Sequence, residues 1–312
     1  MNNAKLKNIS HSVKERLKII AKQQGRKHQD LILCYLMERF LYRMSESKYG
    51  ERFILKGALM LQVLGEQCTR ATRDIDFMSQ SDLSLDKYSQ IVTDIMNYPV
   101  PDDGVVFDSA TIKINKIQKD ARESGVRINF IGRIGGARAT LQLDIGPYYK
   151  VIPSPITFDF PQLLNFGHPN LLGYSAESII ADKFEAMVSR DQSNTRLKDF
   201  YDIWILSSVR YFELFSLREA IKETFSYYKT PLPTEIPICF EEVFYSDKNR
   251  MSQWKTFLKN SQLETSQSFA EINEKVQKFL MPVCFHINKK IENNLLWAPS
   301  KGWINNPISS TL

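Results

Sequence analysis

Two neighbouring stretches, Arg52-Phe-Ile-Leu-Lys56-Gly57-Ala58-Leu-Met-Leu61 and Arg70-Ala-Thr72-Arg-Asp74-Ile-Asp76-Phe77-Met78, decide how this chain is read. Arg52 to Leu55 has the apolar character of a short strand, Lys56-Gly57 that of a turn, and Ala58 to Leu64 that of a helix. Ile75 to Met78 reads as a second strand. Residues i and i+2 of a strand project to one face, so Asp74 and Asp76 stand side by side while Ile75 faces the core. Carboxylates that close repel, and one pKa rises unless a cation sits between them. A hard divalent ion such as Mg²⁺, or Mn²⁺, meets that need and is usually held by one or two carboxylates plus substrate phosphates.

A D-x-D pair alone is as well explained by an exposed polar strand, and a lone glycine by a tight turn. Their combination says more. The strand–Gly57–helix order brings backbone N–H groups and a helix N-terminus to where a phosphate can sit, with Lys56 adding charge. Asp144, on the later alternating run Leu141-Gln-Leu-Asp144-Ile, supplies a third carboxylate. Three acids together favour a metal site. Two divalent ions about 3.5–4 Å apart would clamp the attacking and leaving oxygens of an in-line phosphoryl displacement.

The surrounding chain frames this motif. Ser10 to Gln24 reads as an amphipathic helix ended by Gly25, and a second helix runs from about Gln29 to Met44. Leu85 to Met96 is helical in pattern. From Val105 to Asp144 the pattern is β, with Thr111 to Ile117 and Val126 to Ile131 alternating and Gly132, Gly135 and Gly136 marking a hairpin. Pro147 to Pro169 holds five prolines and reads as a loop or interdomain connection. Helices follow: Ser175 capping one to about Ser189, then Arg196 to Ser208, Leu217 to Tyr228, Asn249 to Lys259 and Phe269 to Leu280. The fold class is therefore α/β (α+β), a small mixed-sheet core followed by a helical C-terminal domain. The expected domains are 1–48, basic helices packed on the core; 49–150, the core; and 151–312, mainly helical.

The composition, 43% hydrophobic and 24% charged over 312 residues, is that of an ordinary globular protein. The apolar runs fall far short of a membrane span, and the polar, basic Met1 to Lys7 is not a secretory signal. The four cysteines are scattered with no C-x-x-C pair, which argues against a zinc knuckle or a disulfide framework. A cytoplasmic protein is expected. The four histidines show no ligand spacing, and no Ser-His-Asp pattern appears. The net charge is +6, and eight Lys or Arg against one acid, Glu15, lie between Lys5 and Lys27. That segment reads equally as a solvated helix face and as an RNA-binding face.

Lys56-Gly57-Ala58 followed by Arg70-Ala-Thr72-Arg-Asp74-Ile-Asp76-Phe77 resembles the opening of the AbiEii/AbiGii toxin family, nucleotidyltransferases of the polymerase-β-like superfamily. The likeness continues in Asp102-Asp103-Gly104, in Tyr174-Ser-Ala-Glu177 through Asp182-Lys183-Phe-Glu185, and in Asn194-Thr-Arg196-Leu-Lys198-Asp199-Phe-Tyr201-Asp202. It implies that Asp74 and Asp76 bind a catalytic metal, with Asp144 as third ligand. It places Gly57 and Ala58 against the nucleotide triphosphate with Lys56 beside them. Arg70 and Thr72 lie just before the metal carboxylates, where the Arg70 guanidinium suits phosphate. Lys183 and Asp199 fall in later helical motifs that contact the nucleotide and complete the site. Two departures stand out: Ala58 replaces the second glycine or serine of the phosphate loop, and Asp182 stands where glutamate is expected.

The resemblance implies transfer of an NMP from an NTP with release of pyrophosphate. The acceptor it points to is RNA, a tRNA 3′ end, in a toxin of a toxin–antitoxin or phage-defence system with a cognate antitoxin and no membrane association. The alternatives are protein nucleotidylation, a small-molecule acceptor, and a catalytically inactive nucleotide-binding immunity or partner module. For Lys183, Asp199 and Asp202 the plain reading is a snorkelling lysine and a helix-start salt bridge to Arg196 or Lys198.

Overall fold

A computed structural model describes residues 3–64, 72–80, 83–119, 123–291 and 294–307. The chain forms two compact units. The first comprises Met1–Val63, Ala71–Tyr148 and Ile156–Gly173; the second comprises Leu64–Arg70, Tyr149–Pro155 and Tyr174–Leu312.

In the first unit, helix α1 (Asn3–Gln23) buries Val13, Leu17 and Ala21 on one stripe. It ends just before Gly25, whose φ of +65° costs glycine little. Helix α2 (His28–Glu46) is buried on most of its circumference from Leu31 to Met44, as befits a helix inside a core. Strand β1 (Phe53–Lys56) leads through Gly57 into α3 (Ala58–Leu64). Strand β2 (Asp74–Ser79) and helix α4 (Leu85–Met96) follow, the latter capped by the Ser84 side chain accepting from the Lys87 amide. Three long strands come next, β3 (Val105–Lys119), β4 (Glu123–Ile134) and β5 (Ala137–Gly146), then the short β6 (Ile156–Asp159) and β7 (Asn170–Gly173).

These strands form one mixed sheet in the order β3-β4-β5-β2-β1-β7-β6. The β2–β5 and β1–β7 pairs are parallel and the others antiparallel. Gly135 and Gly136, at φ +50° and +79°, make the tight β4–β5 turn. Alternation fixes the faces. Ile75, Phe77, Ile128, Phe130, Leu141 and Leu143 are buried on one side. There, Phe40 of α2 meets Phe107 and Phe130, with ring centroids 5.9 and 5.2 Å apart. The polar alternates of the same strands share the other side. A slip of one residue would invert every one of them, so burial specifies the register that positions the site.

The stretch from Pro147 to Pro169, expected to be a loop or connection, contains β6 and leads into β7. Each has four residues, too few for a period-two pattern to stand out, and proline is tolerated beside an edge strand such as β6.

The second unit contains α5 (Ala176–Arg190), α6 (Leu197–Val209), β8 (Phe212–Glu213), α7 (Leu214–Tyr228), α8 (Glu242–Tyr245), α9 (Lys248–Ser261), α10 (Phe269–Lys289), β9 (Leu295–Ala298) and β10 (Gly302–Asn305). Ser175 caps α5, accepting from the Ser178 amide. Phe184, Phe200, Phe225, Phe240, Phe244 and Phe269 interlock in its core. Helix α10 does not stop at Leu280 but continues through Pro282 to Lys289. The buried Phe279, Val283 and Cys284 flank the proline, and their packing outweighs its missing donor. Strands β8, β9 and β10, absent from the sequence-based expectation, bring Trp297 and Trp303 onto Phe279. Among the described residues, no helix is long and apolar enough to cross a membrane.

Candidate active site

The sheet order places three acids together from two strands distant in sequence. Asp76 pairs with Asp144 across the parallel β2–β5 ladder, and Asp74 pairs with Gln142. Each of Asp74, Asp76 and Asp144 offers a carboxylate oxygen within 4.8 Å of the others. Asp74 and Asp76 are half-buried, while Asp144 is only 2% exposed. On the other flank of β2, the antiparallel β1–β2 ladder sets Lys56 opposite Asp76. Gly57 follows at φ +71°, and a Cβ there would lie 2.2 Å from Oδ2 of Asp76. No residue with a side chain fits that turn while Asp76 holds its position.

Two further contacts orient the acids. The Thr72 hydroxyl donates to Oδ1 of Asp74 at 2.6 Å. Arg127, the register partner of Asp144 on β4, grips its carboxylate with Nε at 2.8 Å and Nη2 at 2.7 Å. The Asp144 hydrogen bond raises the pKa of Arg127, and the charges of Asp144, Asp74 and Asp76 raise it further, so this guanidinium stands in the field of all three acids. Arg127 escapes a sequence reading. It is one polar residue of the alternating run Val126-Arg-Ile-Asn-Phe-Ile, and nothing local tells which strand will lie beside it.

The donor set fits a hard divalent cation. It is all oxygen, one acid is prepositioned by a fork-shaped hydrogen bond and another by a hydroxyl, and three negative groups converge. Ala58, 5% exposed, begins α3, so the turn and helix expected at Lys56-Gly57-Ala58 are present without a hydroxyl at the second position. Arg70 lies outside the described residues.

Lys183 and Asp199 belong to the second unit, where they meet each other. The Lys183 ammonium on α5 donates to Asp199 at 3.0 Å and to Asp202 at 2.5 Å on α6. Arg196 Nε lies 3.0 Å from the other Asp199 oxygen, so the helix-start salt bridge expected to Arg196 or Lys198 forms with Arg196. Lys183 is 8% exposed and Asp199 wholly buried. Burial pushes the Asp199 carboxyl up, but Lys183 and Arg196 outweigh it and hold it below the usual carboxylate range. Asp202 joins the cluster without having been singled out as a site residue. Asp182 accepts a hydrogen bond from the Tyr149 hydroxyl.

Comparison with known proteins identifies the family. The sequence profile of the family described as "Nucleotidyl transferase AbiEii toxin, Type IV TA system" matches residues 39–278. No curated protein sequence matches. Two solved structures are distantly similar. JHP933 from Helicobacter pylori is 16% identical with a TM-score of 0.47, covering 85% of this chain and 95% of its own. A candidate nucleotidyltransferase of H. pylori is 15% identical with a TM-score of 0.47, covering 86% of this chain and 100% of its own. With its profile matched over most of its length, the chain belongs to the AbiEii family of nucleotidyltransferase toxins of type IV toxin–antitoxin systems.

Proposed function

We propose that this nucleotidyltransferase moves an NMP from an NTP onto the 3′ end of an RNA, a tRNA in the first instance, and that this arrests growth in phage defence or a related cytoplasmic response. Membership of the family implies an antitoxin partner. The observation that carries the proposal is the convergence of Asp74, Asp76 and Asp144 against the glycine turn at Gly57.

The acceptor hydroxyl attacks the α-phosphorus, its proton leaves, and the bond to pyrophosphate breaks. Asp74, Asp76 and Asp144 would hold Mg²⁺ or Mn²⁺, which when bound supplies charge neutralisation at the phosphates. The protein's own task is positioning. Thr72 fixes the Asp74 carboxylate, Arg127 fixes that of Asp144, and the bare backbone at Gly57 lets the Asp76 carboxylate lie directly against the turn. The family resemblance supports placing Lys56, Ala58, Arg70 and Thr72 on the nucleotide side, and Lys183 and Asp199 in nucleotide contact. Within its own unit, a Lys183 drawn to phosphate would give up its ion pairs with Asp199 and Asp202, while Arg196 stays on Asp199.

The test is incubation with Mg²⁺, cellular RNA and each α-³²P-labelled NTP in turn. Label on RNA that disappears in Asp76→Ala supports the proposal and identifies the nucleotide. Label confined to protein would replace it with protein nucleotidylation. No label, with growth arrest intact in Asp76→Ala, would replace it with an inactive binding module.

A further inference from the structure

Strands β3, β4 and β5 carry a polar face that starts at the carboxylate triad and runs away from Gly57. Arg127 lies opposite Asp144, Asn129 opposite Gln142, and Arg133 opposite Arg138. Across the β3–β4 ladder, Lys113 lies opposite Asn129. Their side chains project to the triad's side of the sheet, because Val126, Ile128, Phe130, Leu141 and Leu143 fill the other.

An antiparallel sheet with one wet face is ordinary. The charge on this one is not evenly balanced. Arg127 is committed to Asp144, and Arg133 to Asp108 at 3.2 Å. Lys113 and Arg138 are exposed, and neither has an ion-pair partner among the described residues. Beyond Gln142, where the β2 pairing ends, β5 borders a groove of about 540 Å³. Arg73, Arg138, Thr140 and Gln29 line it, with Asp30 its one carboxylate. Two guanidinia against one acid favour an anion there.

Sheet order supplies a direction. The Gly57 turn is on the β1 flank of β2, whereas β5, β4 and β3 extend from the other flank. A triphosphate seated at Gly57 leaves the β5 flank for the second substrate. Arg138 is six residues along β5 from Asp144, about 20 Å of strand. A small acceptor cannot reach from the triad to that groove, but a polymer can. The described residues of the face carry no aromatic ring, so bases have nothing to stack on, and the contacts on offer are to phosphate and ribose.

We infer that this face is the acceptor track: a single-stranded RNA 3′ end lies along β5 with its hydroxyl at the triad and its backbone phosphates on Arg138, Arg73 and Lys113, held without regard to base sequence. The inference rests on the RNA-acceptor reading and adds the residues that position the RNA.

The test measures binding of a fluorescein-labelled RNA hairpin with a single-stranded 3′ tail by anisotropy, at several salt concentrations. It compares the wild type with Arg138→Gln, Lys113→Gln and the double variant. Both side chains are exposed, and unaltered NTP binding establishes that the variants are folded. The double variant should bind RNA about 10- to 100-fold more weakly, and its log Kd against log salt should be shallower by between about one and two. Its KM for RNA should rise while kcat and the KM for NTP stay within about two-fold. RNA affinity and salt slope unchanged in the double variant would overturn the track, as would a wild type that binds no RNA or binds a blunt-ended hairpin as tightly as the tailed one. If the wild type labels RNA and the double variant does so with the same KM, the track fails and the acceptor reading stands. If binding behaves as expected but no label reaches RNA, the acceptor reading fails and the track remains as an RNA-binding face.

Discussion

Gly57 and Asp76 exclude any side chain between them: a Cβ at position 57 would lie 2.2 Å from Oδ2 and 2.9 Å from Cγ of Asp76. In Gly57→Ala the carboxylate must move, and alanine must also adopt φ +71°, at a cost of about 1–2 kcal/mol. The variant is expected to remain folded by circular dichroism, with a slightly lowered melting temperature. Its kcat should fall about 100-fold, the scale of a 1 Å misplacement in a catalytic site. Full activity in this variant would dissociate the turn from the chemistry.

Arg127 is the principal counter-charge of Asp144, and its removal tests metal binding without any turnover. In Arg127→Gln the nearly buried Asp144 loses both charge-assisted hydrogen bonds while Asp74 and Asp76 remain close by. The arginine side chain is 39% exposed, so solvent screens part of the loss, and about 1–2 kcal/mol of stability is expected to go. A divalent cation bound to the folded state restores it by mass action. The melting temperature should therefore rise more on adding Mg²⁺ in Arg127→Gln than in the wild type, and not at all in Asp76→Ala. Equal Mg²⁺ responses in all three proteins would remove the metal assignment.

How far these features can be read from sequence depends on their range along the chain. The bounds of α3 and α4 follow from local pattern alone, since a glycine precedes one helix and a serine cap the other. Asp74 and Asp76 are likewise legible, because two residues of one strand share a face whatever the tertiary fold. Asp144 can be suspected from its alternating strand, but that it pairs with Asp76 is a property of sheet order. Arg127 is invisible for the same reason, with its partner seventeen residues away on a neighbouring strand. Strands β6 to β10 are at most four residues long, shorter than a periodicity needs to declare itself.

Lys183 neutralises two buried acids, so its loss should first be felt as instability. Lys183→Met takes an ion pair from each of the buried Asp199 and Asp202, a loss of about 3–5 kcal/mol. Adding Asp202→Asn removes one of the two charges that Lys183 balanced, and the double variant should be more stable than Lys183→Met alone. No such recovery in urea unfolding would mean that Lys183 does not neutralise Asp202. Activity provides the second readout. If the stabilised double variant regains the fold but not nucleotidyl transfer, Lys183 serves the nucleotide; if activity returns with the fold, the cluster only braces α5 against α6.

Glu38 predicts a pH dependence in the first unit. Its Oε2 accepts from the Leu163 amide at 2.7 Å, and its Oε1 lies 2.8 Å from Arg39. Arg39 in turn donates to the Phe166 and Gly167 carbonyls, so the pair fastens the 163–167 segment to α2. Burial pushes the Glu38 carboxyl up to about 7, against the pull of Arg39 and of the Leu163 amide. Between its ordinary value of 4.5 and about 7, the folded chain therefore binds more protons at this site than the unfolded chain. Stability must then decrease as pH rises through that window, by about 3 kcal/mol in all if no other group offsets it. Glu38→Gln keeps an acceptor for the Leu163 amide but cannot titrate. Urea midpoints measured from pH 5 to pH 7 should fall in the wild type and stay level in Glu38→Gln. The same fall in both proteins would assign the proton to another group.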